Sequence, residues 1–431
     1  MTIAYPLRSV APMPPRAPSS PGCSTGVVVA LPVGGAHPLD RLAGLSLALR
    51  AVLMLQSAGL QRIVLVTAED DPATAASIAK DLRVRTAVDV VHGATWAALA
   101  SVLDGPFVLV CHNIVADPAV CQRLCGMEPE QAPAVLAMAD GRAAGMLLGT
   151  PALVARHLEE PLADAPAMLA ADATVRQLDV STAWHADVST PSGRVRAFRQ
   201  LFEACRKPVD GIVARRLNRH ISIAISKQLV RAPITPNQVT VVTFLLGLAG
   251  AGAVALGGYC AMLLGAFLFQ CNSILDGVDG ELARVRFQQS KLGEWLDTVS
   301  DDASNLLFYA GIAVGARSLP YGPILVACAV VAIVASLLAT VQYYVELVAV
   351  GSGDLYAIDW DFDQVPAVTP AHRLIVFLRR AVKKDFAISF FLVMALCGVL
   401  PYALPLVAGC AIGTLVAATR RNILKHRVRT A

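Results

Sequence analysis

From about residue 236 onward the chain is written in long apolar runs. They lie near residues 237–257, 259–285, 293–316, 321–350, 385–401 and 403–422, and each is long enough to be read as a helix crossing a hydrocarbon core of about 30 Å. Residues 26–190 have a different grain, with short apolar runs alternating with helical spacing. Gly26–Leu31, Arg62–Thr67 (RIVLVT) and Pro106–Cys111 (PFVLVC) read as strands, and Leu45–Ser57 and Pro72–Leu82 read as helices. Strands and helices alternating at this length predict a mostly parallel sheet. Between the two halves, residues 193–234 form a basic amphipathic bridge. Arg206, Lys207, Arg215, Arg216, Arg219, Lys227 and Arg231 interleave with Leu201, Phe202, Ile212, Val213, Leu217, Ile221 and Ile225, a pattern that suits an anionic membrane surface. Residues 1–25 carry Pro12, Pro14, Pro15, Pro18 and Pro21 among Ser, Ala and Arg, without an apolar signal-peptide core, and read as a disordered tail. The expected architecture is therefore multidomain. A soluble α/β domain (26–192) and juxtamembrane helices (193–234) precede an all-α six-helix transmembrane domain (235–431).

Composition agrees with that division. Of 431 residues, 55% are hydrophobic and only 16% charged, and the mean hydropathy of +0.58 is high for a wholly soluble chain. A net charge of +4 gives no indication of nucleic-acid binding. The ten cysteines are scattered, and Cys121 and Cys125 have no second pair or histidine cluster with them, so all ten read as reduced, small apolar residues. Basic residues crowd 206–231, 284–291, 373–384 and 420–429. The alternate loops at Gly257–Gly258, Ser318–Gly322 and Pro401–Leu404 have no Lys or Arg, with Arg317 alone at one border. By the positive-inside rule both chain ends are expected on the cytoplasmic side of the cell (inner) membrane. The acidic stretch Gly351–Val368 reads as a surface loop.

The candidate chemistry lies between Asp276 and Asp301, in DGVDGELARVRFQQSKLGEWLDTVSD. Asp276, Asp279, Gly280, Ala283 and Arg284 share one helical face, and Gly293, Asp297 and Asp301 share a face of the next helix. Gln288–Lys291 make the turn between them. Carboxylates set against apolar flanks cost roughly 2.5–3.5 kcal/mol each at mid-membrane and repel one another, so cations must hold them. All-oxygen ligation favours Mg²⁺, Mn²⁺ or Ca²⁺. Gly280 and Ala283 leave room for a ligand against the helix backbone, and Arg284 is placed to fork onto a phosphate.

The spacing D-x-x-D-G-x-x-A-R, eight residues, G-x-x-x-D-x-x-x-D resembles the signature of the CDP-alcohol phosphotransferase family at all of its marked positions. The resemblance implies two bound divalent ions (Mg²⁺ or Mn²⁺), a CDP-alcohol donor, release of CMP, contact with membrane lipids and a homodimer. It also implies that Asp276, Asp279 and Asp297 hold metal with Asp301 sharing the second ion, and that the donor lies against Asp279, Gly280, Ala283, Arg284 and Gly293. Asp301, one turn beyond Asp297, is the expected base for the acceptor hydroxyl. TPNQVT at Thr235–Thr240 also resembles the family, with Thr235 as N-cap, Pro236 at the first helical position and Asn237 within reach of the donor diphosphate. VDGIVARRLNRHIS (Val209–Ser222), ELARVRFQQSKLGEWLDTVSDD (Glu281–Asp302) and KKDF (Lys383–Phe386) are similar to the di-myo-inositol-phosphate-phosphate synthase branch and its phosphatidylinositol-phosphate synthase relatives. Arg219, Arg379, Arg380, Lys383 and Lys384 would then meet the phosphate of a phosphorylated acceptor such as inositol 1-phosphate.

Residues 26–192 resemble nucleotidyltransferase domains of the inositol-1-phosphate cytidylyltransferase kind through HPLDRLAGLS (His37–Ser46). The loop LPVGGAHPLDR lacks that family's G-x-G-x-R arrangement. Asn113 stands where the resemblance expects a metal-binding Asp, and WHADVSTP (Trp184–Pro191) keeps Asp187 but has Ser189 in place of the second acid. An amide and a hydroxyl hold Mg²⁺ less well than carboxylates, so the domain reads as degenerate. His112 reads as a strand-end histidine near the surface. The rival readings are a bifunctional enzyme whose N-terminal domain is an active cytidylyltransferase, and a transport or structural membrane protein using the acids as an ion path.

Overall fold

The computed structural model describes residues 23–127, 132–139, 141–206, 211, 213–353 and 384–430, with backbone only at 384 and 424–430. Tertiary contacts divide the chain between Cys205 and Arg206 into two units.

The first unit is built on a seven-stranded sheet. Its strands are β1 (Thr25–Ala30), β2 (Arg62–Thr67), β3 (Ala87–His92), β4 (Phe107–Cys111), β5 (Ala134–Ala139), β6 (Arg142–Gly149) and β7 (Arg176–Asp179). The order is β7-β5-β6-β4-β1-β2-β3. β1 pairs parallel with β2 and with β4, whereas β6 runs antiparallel between β4 and β5. The expected mostly parallel sheet is thus present with one reversed strand. Val27–Ala30, Ile63–Val66 and Phe107–Val110 are fully buried, which is why these strands are apolar throughout rather than alternating. Helix α1 (Leu47–Ser57) starts at Ser46, whose hydroxyl accepts from the Leu49 amide.

Helix α2 (Pro191–Glu203) packs in this unit. Its Ala197 and Phe202 are buried, and Phe198 and Leu201 lie on a small core with Leu42, Leu47 and Val188. Of the two residues expected on the membrane-facing side of the bridge, Leu201 packs on this core and Phe202 is buried, its ring 5.2 Å from that of Phe198. Lys207 and Ile212, also assigned to the bridge, and the tail through residue 22 lie outside the described residues.

The second unit is helical. It comprises α3 (Arg219–Leu229), α4 (Pro236–Ala255), α5 (Tyr259–Val285), α6 (Lys291–Ala316), α7 (Gly322–Val350), α8 (Lys384–Leu396) and α9 (Leu404–Thr430). Among the described residues four segments are long and apolar enough to cross a membrane: Pro236–Ala255, Tyr259–Val285, Gly322–Val350 and Leu400–Ile423. α6 is long enough but carries Lys291, Glu294, Asp297, Asp301 and Asp302, and α8 has only 13 residues. The expected helix 385–401 stops at Leu396 because Gly398 takes a left-handed φ of +73° and Pro401 follows. A stacked pair, Phe269 on Phe308 at 4.0 Å between ring centres, with Phe391 beside it, joins α5, α6 and α8. α4 lies close against α5, where a Cβ on Gly265 would come within 2.6 Å of the Gly250 carbonyl oxygen. Val242, Ile324, Val345 and Val416 are turned outward, an apolar exterior suited to lipid.

α3 is oriented by polar residues. Asn218, Ser222, Ile223 and Ser226 face inward, while Leu217 and Ile221 are 49% and 40% exposed beside Arg215, Arg216 and His220. The outward apolar and basic side is what a membrane surface would take, and the inward hydroxyls need partners on the bundle.

Candidate functional site

The two halves of the acidic motif are brought together by a tight turn. α5 ends at Val285, Phe287 takes a left-handed φ of +52°, and the Gln288 amide returns to the Ala283 carbonyl at 2.8 Å. Ser290 then caps α6, accepting from the Gly293 amide at 3.0 Å. This hairpin sets Asp276 of α5 against Asp297 and Asp301 of α6, with one carboxylate oxygen of each within 4.8 Å of the others. All three side chains are half-buried.

Asp279, read as the fourth ligand, is 5% exposed and accepts from the Thr240 hydroxyl at 2.5 Å and from the Gly280 amide. Thr240 is the last residue of TPNQVT, so α4 touches the acidic motif directly. That stretch opens with a capping box, in which the Gln238 amide donates to the Thr235 hydroxyl while the Gln238 side chain accepts from the Thr235 amide at 2.9 Å. A Cβ on Gly293 would meet the Asn237 side-chain oxygen at 3.1 Å, and one on Gly280 would meet the Arg284 guanidinium at 3.2 Å. Arg284 Nε is buried without a hydrogen-bond partner among the described residues. Ala283 lies half-buried on the same helix.

Three oxygen donors in contact range, in a helical bundle with an apolar exterior, suit a hard divalent cation. Without one, like charges this close would repel strongly. The donor set contains no thiol or imidazole, which disfavours a soft metal.

Several residues around this cluster were not singled out from sequence. Glu281 is fully buried on α5 and accepts from Arg219 at 3.0 Å, Ser222 at 2.7 Å and Ser226 at 2.7 Å. Arg219, expected at an acceptor phosphate, is therefore ion-paired to Glu281. A carboxylate in a span this apolar needs a cation within reach, and that rule could have connected Glu281 to the basic bridge. Tyr344 of α7 donates to Asp302 at 2.8 Å and meets Trp295 edge-on. After α7 the chain returns to α6, where Thr298 donates to the Gly353 carbonyl at 2.7 Å and the Gly353 amide to Glu294 at 3.2 Å. Asp385 of the KKDF stretch accepts from the Ala214 amide at 2.8 Å, which ties α8 to the chain just before α3. Arg379, Arg380 and Lys383 lie outside the described residues, as do the Lys384 side chain and most of the loop read as 351–368.

In the first unit the strand ends gather Asn113, Asp187 and Ser189. The Asn113 amide donates to Asp187 at 3.0 Å, and Asp187 also accepts from the Ser189 amide at 2.9 Å and from the Ser189 hydroxyl. The carboxylate that would serve a metal is thus occupied by its neighbours. Arg194 pins the loop above, donating to the Gly35 carbonyl at 2.8 Å and to Asp40 at 2.6 Å. His112 departs from expectation. It is fully buried, with Nδ1 3.1 Å from the Val29 carbonyl oxygen, and burial lowers its pKa. The apolar strand β4 carries it inside, where main-chain carbonyls of the neighbouring loop and strand satisfy the ring. None of the ten cysteines, all of them among the described residues, forms a disulfide. Burial pushes the Cys111 and Cys125 thiols up to about 12, so neither is poised as a nucleophile.

Helices α5 and α6 thus bring together a half-buried, oxygen-only cluster whose donors suit a hard divalent cation. Residues 233–397, within the second unit, match the family model described as CDP-alcohol phosphatidyltransferase. The chain is 42% identical over 146 residues to a "Bifunctional IPC transferase and DIPP synthase" of Aquifex aeolicus, covering 34% of this chain and 33% of the relative. It is 29% identical over 324 residues to a protein of the same name from Rubrobacter xylanophilus, covering 66% of this chain and 74% of that one. The chain spans a third or less of the first three curated relatives it matches. Among solved structures it is similar to Mycobacterium tuberculosis phosphatidylinositol phosphate synthase with CDP-DAG bound, at 23% identity and a TM-score of 0.33, covering 47% of this chain and 92% of that chain.

Proposed function

We propose that the protein is an integral membrane CDP-alcohol phosphotransferase. It moves a phospho-alcohol group from a CDP-alcohol to an acceptor hydroxyl and releases CMP. The observation that carries this reading is the convergence of Asp276, Asp297 and Asp301 within 4.8 Å, on the family's motif and inside the matched region. In this reading Asp276, Asp279, Asp297 and Asp301 hold two Mg²⁺ or Mn²⁺ ions. Divalent ions bound there would draw charge from the donor diphosphate and make CMP a better leaving group.

The chain's own groups do the rest. Asn237, Gly280, Ala283, Arg284 and Gly293 form the donor seat, with the Arg284 guanidinium directed at diphosphate oxygens. The acceptor oxygen attacks the phosphorus that bears the donor alcohol, the bond from that phosphorus to the CMP oxygen breaks, and Asp301 takes the hydroxyl proton. Arg219, Arg379, Arg380, Lys383 and Lys384 form the acceptor-phosphate site in this reading. The names of relatives, which include an "Archaetidylinositol phosphate synthase", support a phosphorylated polyol such as inositol 1-phosphate as the acceptor.

α4 to α9 supply six spans in this reading, with α6 crossing despite its acids because they face the site. Both ends and the Asp cluster are cytoplasmic, and the enzyme works as a homodimer among membrane lipids in lipid or polar-osmolyte synthesis. The soluble domain is a nucleotidyltransferase relative without cytidylyltransferase activity, supported by the Asn113–Asp187–Ser189 cluster. The purified protein should release CMP when given Mg²⁺, a CDP-alcohol and an acceptor alcohol. No CMP release across paired CDP-inositol or CDP-diacylglycerol donors and inositol 1-phosphate or unphosphorylated acceptors would refute the reading and favour an ion path.

A further inference from the structure

The carboxylates that α6 gives to the cluster lie on one stripe of that helix, and α7 grips the stripe beside it. Gly293, Asp297 and Asp301 recur at every fourth residue. So do Glu294, Thr298 and Asp302, each one position further on. The two stripes therefore lie about 100° apart around the axis. The second stripe is held at all three of its positions by α7 or by the residues just after it. Tyr344 donates to Asp302 at 2.8 Å. Thr298 donates to the Gly353 carbonyl at 2.7 Å, and Glu294 accepts from the Ser352 hydroxyl and the Gly353 amide, both at 3.2 Å. Trp295 meets Tyr344 edge-on, with ring centres 5.3 Å apart. The chain arrives there through a left-handed turn at Gly351, φ +77°. It then lies so close to α6 that a Cβ on Gly353 would come within 2.7 Å of the Trp295 main-chain nitrogen.

Grips on three successive turns fix more than the distance between two helices. They also fix the rotation of α6 about its own axis. A carboxylate oxygen stands roughly 6 Å from a helix axis, so a rotation of about 10° carries it about 1 Å sideways. Mg²⁺ demands near-ideal geometry, and a site about 1 Å too loose is a failed one. Asp297 and Asp301 belong to α6 while Asp276 belongs to α5, so the cluster closes only within a narrow range of rotations. The last grip is also made by a costly residue. Asp302 follows Asp301 directly, and a further carboxylate beside the cluster adds like-charge repulsion. Apolar packing would tether α7 at less cost. What an ionised acceptor supplies is a stronger and shorter hydrogen bond to the tyrosine hydroxyl than a neutral one would give.

We propose that Tyr344 and Asp302, with Thr298 and Glu294 behind them, are positioning residues that set the rotation of α6, so that Asp297 and Asp301 meet Asp276 around a divalent ion. This deepens the phosphotransferase reading and rests on its divalent ions. It gives α7 a part in the metal site through residues outside the family motif.

The test uses the full-length protein in detergent and Mn²⁺ as the probe, with bound and free ion separated by electron paramagnetic resonance and without substrates. Tyr344→Phe removes one oxygen and keeps the ring against Trp295. It should weaken Mn²⁺ binding by about tenfold, the lower end of what losing an outer partner of a metal ligand costs. Asp302→Asn keeps an oxygen for the Tyr344 hydroxyl and should lose clearly less affinity than Asp302→Ala. The double variant Tyr344→Phe/Asp302→Ala should bind no more weakly than Asp302→Ala alone, since Tyr344 acts through Asp302. Unchanged Mn²⁺ affinity in Tyr344→Phe, whatever its unfolding temperature, would overturn the proposal in favour of a tether. Equal losses in Asp302→Asn and Asp302→Ala would also overturn it, because charge and not the hydrogen bond would then matter. Should Tyr344→Phe not fold, Thr298→Val carries the same test, with Thr298→Ser restoring the affinity, and unchanged binding by Thr298→Val overturns it. Failure of the phosphotransferase reading would appear separately, as a wild-type protein that binds Mn²⁺ but releases no CMP.

Discussion

Arg286 offers the sharpest test of how the site is held together. α3 ends at Leu229 and α4 begins at Pro236, so the carbonyls of the last turn and of the connecting segment have no helical donors. The Arg286 guanidinium collects them. It donates to Leu229 at 2.8 Å, to Val230 at 2.6 Å and again at 3.2 Å, to Ala232 at 2.7 Å and to Ile234 at 2.6 Å. The residue is only 7% exposed, so little water reaches the arrangement. Arg286→Met fills much of the same space without a donor. Four carbonyls lose a charged partner. That of Leu229 keeps the Ala232 amide at 2.9 Å, and each of the other three costs about 1–3 kcal/mol if left unsatisfied, less where water or relaxation reaches it. Taking the low end for each gives a loss of about 3 kcal/mol, in the range of other broken buried charge networks. Arg286→Lys keeps the charge but has no fork, and should lose about half as much. The assay is equilibrium unfolding of the full-length protein in mixed micelles, with the detergent composition held fixed. An Arg286→Met protein within about 1 kcal/mol of wild type would refute the reasoning, since the carbonyls would then have been satisfied without the guanidinium.

Other outcomes follow from the same contacts. Asp301→Asn should abolish CMP release while retaining most affinity for CDP and Mg²⁺, whereas Asp276→Asn or Asp279→Asn should lose nucleotide and metal binding together, and equal losses of CDP binding in all three would remove the special role of Asp301. Thr240→Val removes the donor 2.5 Å from Asp279 and should weaken Mg²⁺ binding measured by calorimetry, with Thr240→Ser restoring most of it. An Asp301→Asn protein given CTP, Mg²⁺ and a polyol phosphate should release no pyrophosphate, because Asn113 and Ser189 occupy Asp187, and pyrophosphate release would show an active first unit. The His37 amide, with Arg194 beside it, holds the Asp40 carboxyl below its ordinary range. Its stabilising effect is fully present above the unfolded value of about 4 and is lost as pH falls through the lower folded value. The difference in unfolding temperature between wild type and Asp40→Asn should therefore vanish in acid, and a constant difference from neutral pH down to strong acid would contradict it.

What the sequence made legible and what it hid divide along a physical line. Periodicity found the strands β1, β2 and β4 and the positions of α4 to α9, because burial on both faces of a sheet, or a helix apolar on its outer as well as its inner side, writes itself as an apolar run. The carboxylates of Asp276, Asp297 and Asp301 were legible because helical spacing alone puts them on facing sides of one hairpin. Pairings made across distant segments were not. No local pattern links Glu281 to Arg219, Ser222 and Ser226, or Arg286 to carbonyls 52 and more residues away. Amphipathicity gave α3 an apolar and basic side suited to a membrane surface, with Leu217 and Ile221 exposed, but it did not say what the opposite, polar side would meet. In a bundle whose outside is already apolar, the scarce resource inside is hydrogen-bonding capacity, so the polar face of α3 is the one that Glu281 draws in, and Leu217 and Ile221 turn outward. His112 was misread for a related reason. A polar residue at a strand end was assumed to reach solvent, yet carbonyls of Val29 and Ala36 made the interior habitable for it. In both cases the missing information was the partner, and a buried polar group is placed by its partner more than by its own preference for water. The same rule bears on Asp279. Its buried carboxylate takes a donor from Thr240 of α4, so the first span helps to set the motif's geometry, and Asp279 should tolerate changes in its own helix less than changes that leave that hydroxyl in reach.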